Sequence, residues 1–118
     1  MANEIAISVS ISFSKGGATV SRLEAIQVTV TGDAFSHEVQ EVGTAEEELA
    51  QGADLGTPGY MFIKNLDATN YVEVGSTTGV YDIKLKAGEI ALYRHNSATV
   101  YAKANTAACL CEYLLIEL

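Results

Sequence analysis

The residue pattern predicts an all-β chain: a two-sheet antiparallel β-sandwich of jelly-roll type, about nine strands, spanning residues 1–118 as a single domain. Three observations predict it. Apolar and polar residues alternate in short runs, with the period of two that lets a strand bury one face and wet the other. Turn-forming residues punctuate these runs at roughly 8–12 residue intervals, as in sandwiches and barrels. No βαβ rhythm and no repeat of fixed period occurs, which excludes a parallel nucleotide-binding sheet and a solenoid.

The first strand is expected over residues 4–13, where Ile5, Ile7, Val9, Ile11 and Phe13 share one face and Ala6, Ser8, Ser10 and Ser12 the other. This reads as a half-buried strand with one wet or partner-facing side. Lys15-Gly16-Gly17 turns the chain. A second run over 23–31 sets Ile26, Val28 and Val30 against Gln27, Thr29 and Thr31, and Gly32-Asp33 closes it. Residues 34–42 form a third strand, with a bulge or the strand end expected at Val42, where the alternation breaks.

Residues 43–58 are the one stretch without strand character. Thr44 followed by Glu47 has capping-box spacing, so a short helical turn or an ordered loop is expected near 44–52. The stretch 59–75 reads as a central β-hairpin: apolar runs at 60–64 and 71–74 flank Asn-Leu-Asp-Ala-Thr-Asn, rich in residues that bond their own backbone. Further strands are expected at 80–86, 89–95, 99–103 and 108–116. The last is apolar on both faces at Leu114, Leu115 and Ile116, as a central or interface strand would be.

Composition narrows the function classes. The chain has 15 acidic and 7 basic residues, a net charge of −8. Its Lys and Arg are scattered singly, whereas a nucleic-acid binder clusters them to displace counterions from phosphates. The same balance argues against an anionic membrane surface. The opening residues carry neither a basic region nor a long apolar run, so synthesis and folding in a cytoplasm are expected. Cys109 and Cys111, two apart on a strand, project to one face as small buried hydrophobes. His37 and His95 lie far from them in sequence, so no metal site is expected.

No catalytic or cofactor motif is found: no nucleophile elbow, phosphate loop, zincin helix or EF-hand loop. A carboxylate pair of Asp67 with Asp82 or Glu73 has nothing in the sequence to align it. Tyr60, Tyr71, Tyr81, Tyr93, Tyr101 and Tyr113 are spread one to a strand, as amphipathic core or interface residues or, alternatively, as stacking platforms for sugars.

Residues 56–75 and 81–118 resemble small tailed-bacteriophage virion structural proteins of the capsid decoration (cement) type. The resemblance is carried by Gly-Tyr at 59–60, Asn-Leu-Asp-Ala-Thr-Asn at 65–70, Lys-Leu-Lys-Ala-Gly-Glu at 84–89 and Tyr-Ala-Lys-Ala at 101–104. Residues 1–55 match only as generic β-structure. The resemblance implies a non-enzymatic virion protein, assembled in the host cytoplasm, that stabilises the head shell. It implies a homotrimer and the major capsid protein as partners, with no nucleic acid or membrane. A tail structural component and a carbohydrate-binding β-sandwich on the virion surface are the alternatives. Candidate subunit or partner contacts are Ser8 and Ser10 on the small polar face, Tyr60, Tyr71 and Tyr101 among the aromatics, Asp67 and Asn70 in the polar loop, and Leu114 and Ile116 on the last strand.

Overall fold

The computed structural model describes residues 3–118. They form ten strands, all paired antiparallel, with no helix among the described residues. The chain divides after Thr31 into two compact units.

The first unit is a long two-stranded hairpin of β1 (Ile5–Lys15) and β2 (Ala18–Val28). Its ladder runs without interruption from Ile5↔Val28 to Lys15↔Ala18. The tip is Gly16 at φ 60° and Gly17 at φ 85°. Positive φ at both central positions makes the two-residue turn whose twist matches the flanking strands. That tight turn is why β2 starts at Ala18, not at residue 23: the partner strand begins as soon as the chain has reversed. At the open end the Glu4 carboxylate accepts the Val30 N–H at 2.9 Å.

The second unit holds two four-stranded sheets in a sandwich-like arrangement. One has the order β3 (Phe35–Val42), β10 (Cys109–Glu117), β5 (Pro58–Asn65), β8 (Ile90–Arg94). The other has the order β4 (Glu47–Glu48), β9 (Tyr101–Ala104), β6 (Val72–Gly75), β7 (Ile83–Leu85). Alternate residues of both sheets fill one core. Val42, Met61, Ile63, Cys111, Tyr113 and Leu115 come from the first sheet. Leu49, Val72, Val74, Leu85, Val100 and Ala102 come from the second sheet and its flanks. The Tyr113 hydroxyl, buried with its ring, donates to the carbonyl of Ala50 and to Gln40 Oε1. Strand β3 ends at Val42, where the alternation breaks.

Of the two forms expected for residues 44–52, the structure takes the ordered loop, which carries the short strand β4, and not the helical turn. Glu47 does not cap one: its carboxylate accepts the Gly43 N–H at 3.0 Å and Gln40 Nε2 at 2.8 Å, and the Leu49 N–H bonds the Val100 carbonyl. The backbone is claimed by neighbouring strands, leaving strand β4 within an ordered loop. One expectation needs correction: 59–75 is not a hairpin. Strands β5 and β6 belong to different sheets, and 66–71 crosses between them. Asn65 is the pivot. It is fully buried, its amide donates to the carbonyls of Asn70 at 2.9 Å and Leu85 at 3.0 Å, and its Oδ1 accepts the Asp67 N–H.

Candidate assembly surfaces

Within the second unit, the strands of the β3-β10-β5-β8 sheet that bury Met61, Ile63, Tyr113 and Leu115 necessarily present the intervening residues on the opposite face. The register aligns these into rows. Phe35, Ile116, Tyr60 and Arg94 form one row across the four strands. His37, Leu114, Phe62 and Leu92 form the next. Val39, Glu112, Lys64 and Ile90 form the third. The outer face is therefore apolar through its first two rows and charged at its margins. Phe35 is 66% exposed and Val39 58%. At the margins Arg94 lies over the Tyr60 ring, 5.5 Å from its centroid, and His37 Nε2 meets a Glu112 carboxylate oxygen at 2.9 Å. Phe35, Val39, Ile90 and Leu92 on this face are exposed, whereas Tyr60, Phe62, Leu114 and Ile116 are half-buried.

The hairpin carries a second apolar surface. Ile7, Val9, Ile11 and Phe13 share one face with Val20 and Ile26, their ladder partners or neighbours. Ile11 is 71% exposed and Phe13 52%. The half-buried strand expected from the alternation is not observed here: a two-stranded ribbon has no second layer of its own, so both faces meet solvent over most of its length.

The predicted contact residues are distributed unevenly. Tyr60, Leu114 and Ile116 come together on the outer sheet face. Ser8 and Ser10 stand on the hairpin face opposite the isoleucines, across from Ala25 and Leu23. Asp67 and Asn70 are occupied with their own loop. The Asp67 carboxylate accepts the N–H groups of Asn70 at 2.6 Å and Thr69 at 2.9 Å, and these bonds hold its pKa below the ordinary aspartate value. The Tyr71 ring carries Lys84 Nζ 4.1 Å from its centroid. Tyr101 lies in the other sheet, beside Gly75. Phe35, Phe62 and Leu92 were missing from the expected set. Their alternation with buried residues was visible in the sequence, but the register that puts them beside Leu114 and Ile116 was not.

Polar chemistry is tied into structure. Glu46 accepts the Tyr81 hydroxyl and the Gly79 N–H, which lowers its pKa, and the same bond pushes Tyr81 up to about 12. A recess of about 200 Å³ is lined by Asp82, Tyr93, Arg94, His95 and Asn96, among others. There His95 Nε2 is spent on the Thr99 carbonyl at 2.6 Å. Among the described residues no group of three His, Cys, Asp or Glu is placed to hold a metal ion. Cys109 and Cys111 are free and buried.

No family model, no curated protein and no solved structure gives a significant match to this chain.

Proposed function

We propose that this chain is a non-enzymatic structural protein of a tailed-phage virion, acting as a capsid decoration protein that stabilises the head shell. The observation that carries the reading is the aligned apolar outer face of the β3-β10-β5-β8 sheet, a surface suited to burial in a protein lattice. Burying it against the major capsid protein or a sister copy stabilises the assembled shell by mass action. A homotrimer seated at three-fold positions is the arrangement this role favours.

The strand orders support a finer reading of the fold. The orders β3-β10-β5-β8 and β4-β9-β6-β7 place the first strand of the unit beside the last, an arrangement that supports a jelly roll built from two Greek keys. That architecture serves capsid and lectin domains alike, so fold alone does not choose between them. The engagement of Asp67, Asn65 and Asn70 in their own loop speaks against a sugar site there. A tail ring built through the same sheet face remains the second structural role.

The test is co-sedimentation with tailed-phage heads stripped of decoration protein, comparing the native chain with Leu114→Glu. Saturable binding that the variant loses, with its circular dichroism unchanged, is the expected result. Absence of binding to procapsids and expanded heads, or equal binding by the variant, would overturn the reading. Binding to tails alone would move the protein to the tail.

A further inference from the structure

We infer that the hairpin of residues 3–31 is a self-association arm whose partner is the same hairpin of a second copy, turned end for end. The inference rests on the assembly reading above and names the partner of a different surface.

A two-stranded hairpin without a second layer is marginally stable in water. Here the strands have 11 residues each, a ribbon about 37 Å long at about 3.4 Å per residue. Its apolar face shows only two charged side chains along the body of the ladder, Arg22 and Glu24, with Lys15 at the tip. An arm meant for an unrelated acidic or basic partner would carry a surplus of one sign. This one carries one of each.

Their positions are the decisive feature. The ladder has its midpoint at the pair Ser10↔Leu23. Arg22, opposite Ile11, lies one pair to the tip side of it, and Glu24, opposite Val9, one pair to the base side. A second hairpin related by a two-fold axis through that midpoint, running across the strands, brings each Arg22 over Glu24 of the second copy. The same operation sets Val20 against Ile26, Val9 against Ile11 and Ile7 against Phe13. Every apolar residue in that set meets an apolar one, and both charges meet their opposites. A face-to-face two-fold along the strands instead seats Arg22 on Ile11 and Glu24 on Val9. A ring of hairpins pointing one way brings like charges to one level. The pattern is therefore self-complementary in the antiparallel arrangement, as an isologous interface requires. Within one chain Arg22 already reaches Glu24 on the same face. Pairing across the two-fold extends that couple into a group of four alternating charges.

The size of the surface sets the strength. Two strands about 10 Å wide and about 37 Å long offer a footprint about half the ~800 Å² per partner of a standard interface. Arm pairing is thus weak between free chains and gains from the high local concentration of a lattice, where arms of neighbouring subunits meet repeatedly.

The experiment is sedimentation equilibrium of the full chain from about 10 μM to about 1 mM, a span that brackets weak interfaces, with Arg22→Glu, Glu24→Arg and the double reversal. The native protein is expected to gain mass with concentration. Each single reversal places like charges together twice per dimer and should weaken association about tenfold. The double reversal restores opposite charges and should recover it. A native mass that does not grow with concentration, or single variants that associate as well as the native chain, overturns the inference. Failure of the double variant to recover overturns the antiparallel geometry. Running the same proteins in the head-binding assay separates the two claims: single variants that still bind heads leave the virion reading intact, and self-association with no head binding leaves the arm intact while that reading falls.

Discussion

The hairpin of residues 3–31 and the body of residues 32–118 are written in the same code, yet reach opposite ends of the burial scale. Both alternate apolar and polar residues with period two. In the body a facing sheet converts one side of each strand into core: Met61, Ile63, Val72, Val74, Tyr113 and Leu115 are completely buried. In the hairpin the same alternation ends with Ile11 71% and Val20 64% exposed. Alternation states which residues share a face. Whether that face is buried depends on the number of layers, a property of the whole fold or of the assembly.

Glycines sharpen the contrast most. A Cβ added at Gly75 would overlap the Val80 carbonyl oxygen, a backbone atom held by the Thr77↔Val80 bridge. Gly75→Ala should therefore lose about 4 kcal/mol of body stability, at the exceptional end for a point substitution. Urea denaturation checks it, and a change below about 1 kcal/mol would mean the turn yields. At the hairpin tip a Cβ on Gly17 meets nothing within 4 Å, so only its φ of 85° resists substitution. Gly17→Ala should cost about 1–2 kcal/mol, read as faster hydrogen exchange confined to β1 and β2.

Next in size is Asn65→Ala. It strips the body of one buried side chain that bonds three backbone groups and leaves the Leu85 carbonyl without its amide donor. The expected loss is about 2 kcal/mol, by the same denaturation measurement.

Titration acts on the body from both ends of the pH scale. Burial pushes Tyr93, Tyr113 and Cys111 in the body up to about 12 each. Once the pH exceeds their ordinary values of about 9–10, the unfolded chain loses these protons while the folded one keeps them. These three groups leave body stability unchanged below about pH 9 and make it fall steadily toward pH 12. On the acid side Glu46 and Asp67 have lowered pKa values, so the stability they contribute is present above about pH 4–5 and lost as pH falls through their folded values. Thermal melts across pH 2–12 check both limbs, and a melting temperature still rising above pH 10 would contradict the alkaline one.

The smallest effect is expected at Ile11→Ser, within about 0.5 kcal/mol for the single chain because the residue is largely in water already. A larger loss at high dilution would show that the isoleucine face is covered within one chain.

Much of this was legible in the sequence. The all-β class, the Gly16-Gly17 turn and the buried cysteines follow from alternation and turn chemistry, which are local. What was illegible is what depends on a distant strand. Residues 59–75 carry every local mark of a hairpin, because two strands joined by an Asn/Asp loop look alike whether they pair or part. The choice is made by the Leu85 carbonyl, 20 residues beyond Asn65. Thr44 and Glu47 had helix-capping spacing, but Gly43, Gln40 and Val100 took the groups a helix would have used. Among the contact residues, Leu114 and Ile116 were visible because both faces of β10 are apolar. Phe62 and Leu92 needed the register.

The two buried cysteines have a practical consequence. Reaction with maleimides and iodoacetamides requires an accessible thiolate, and Cys111 is sealed from solvent with its proton held to about 12. Cys109 is sealed equally, so at neutral pH the folded chain offers labelling reagents no handle. A cysteine introduced at Ser12 on the hairpin would then be the single point of attachment for a fluorophore or spin label, and the native pair need not be removed.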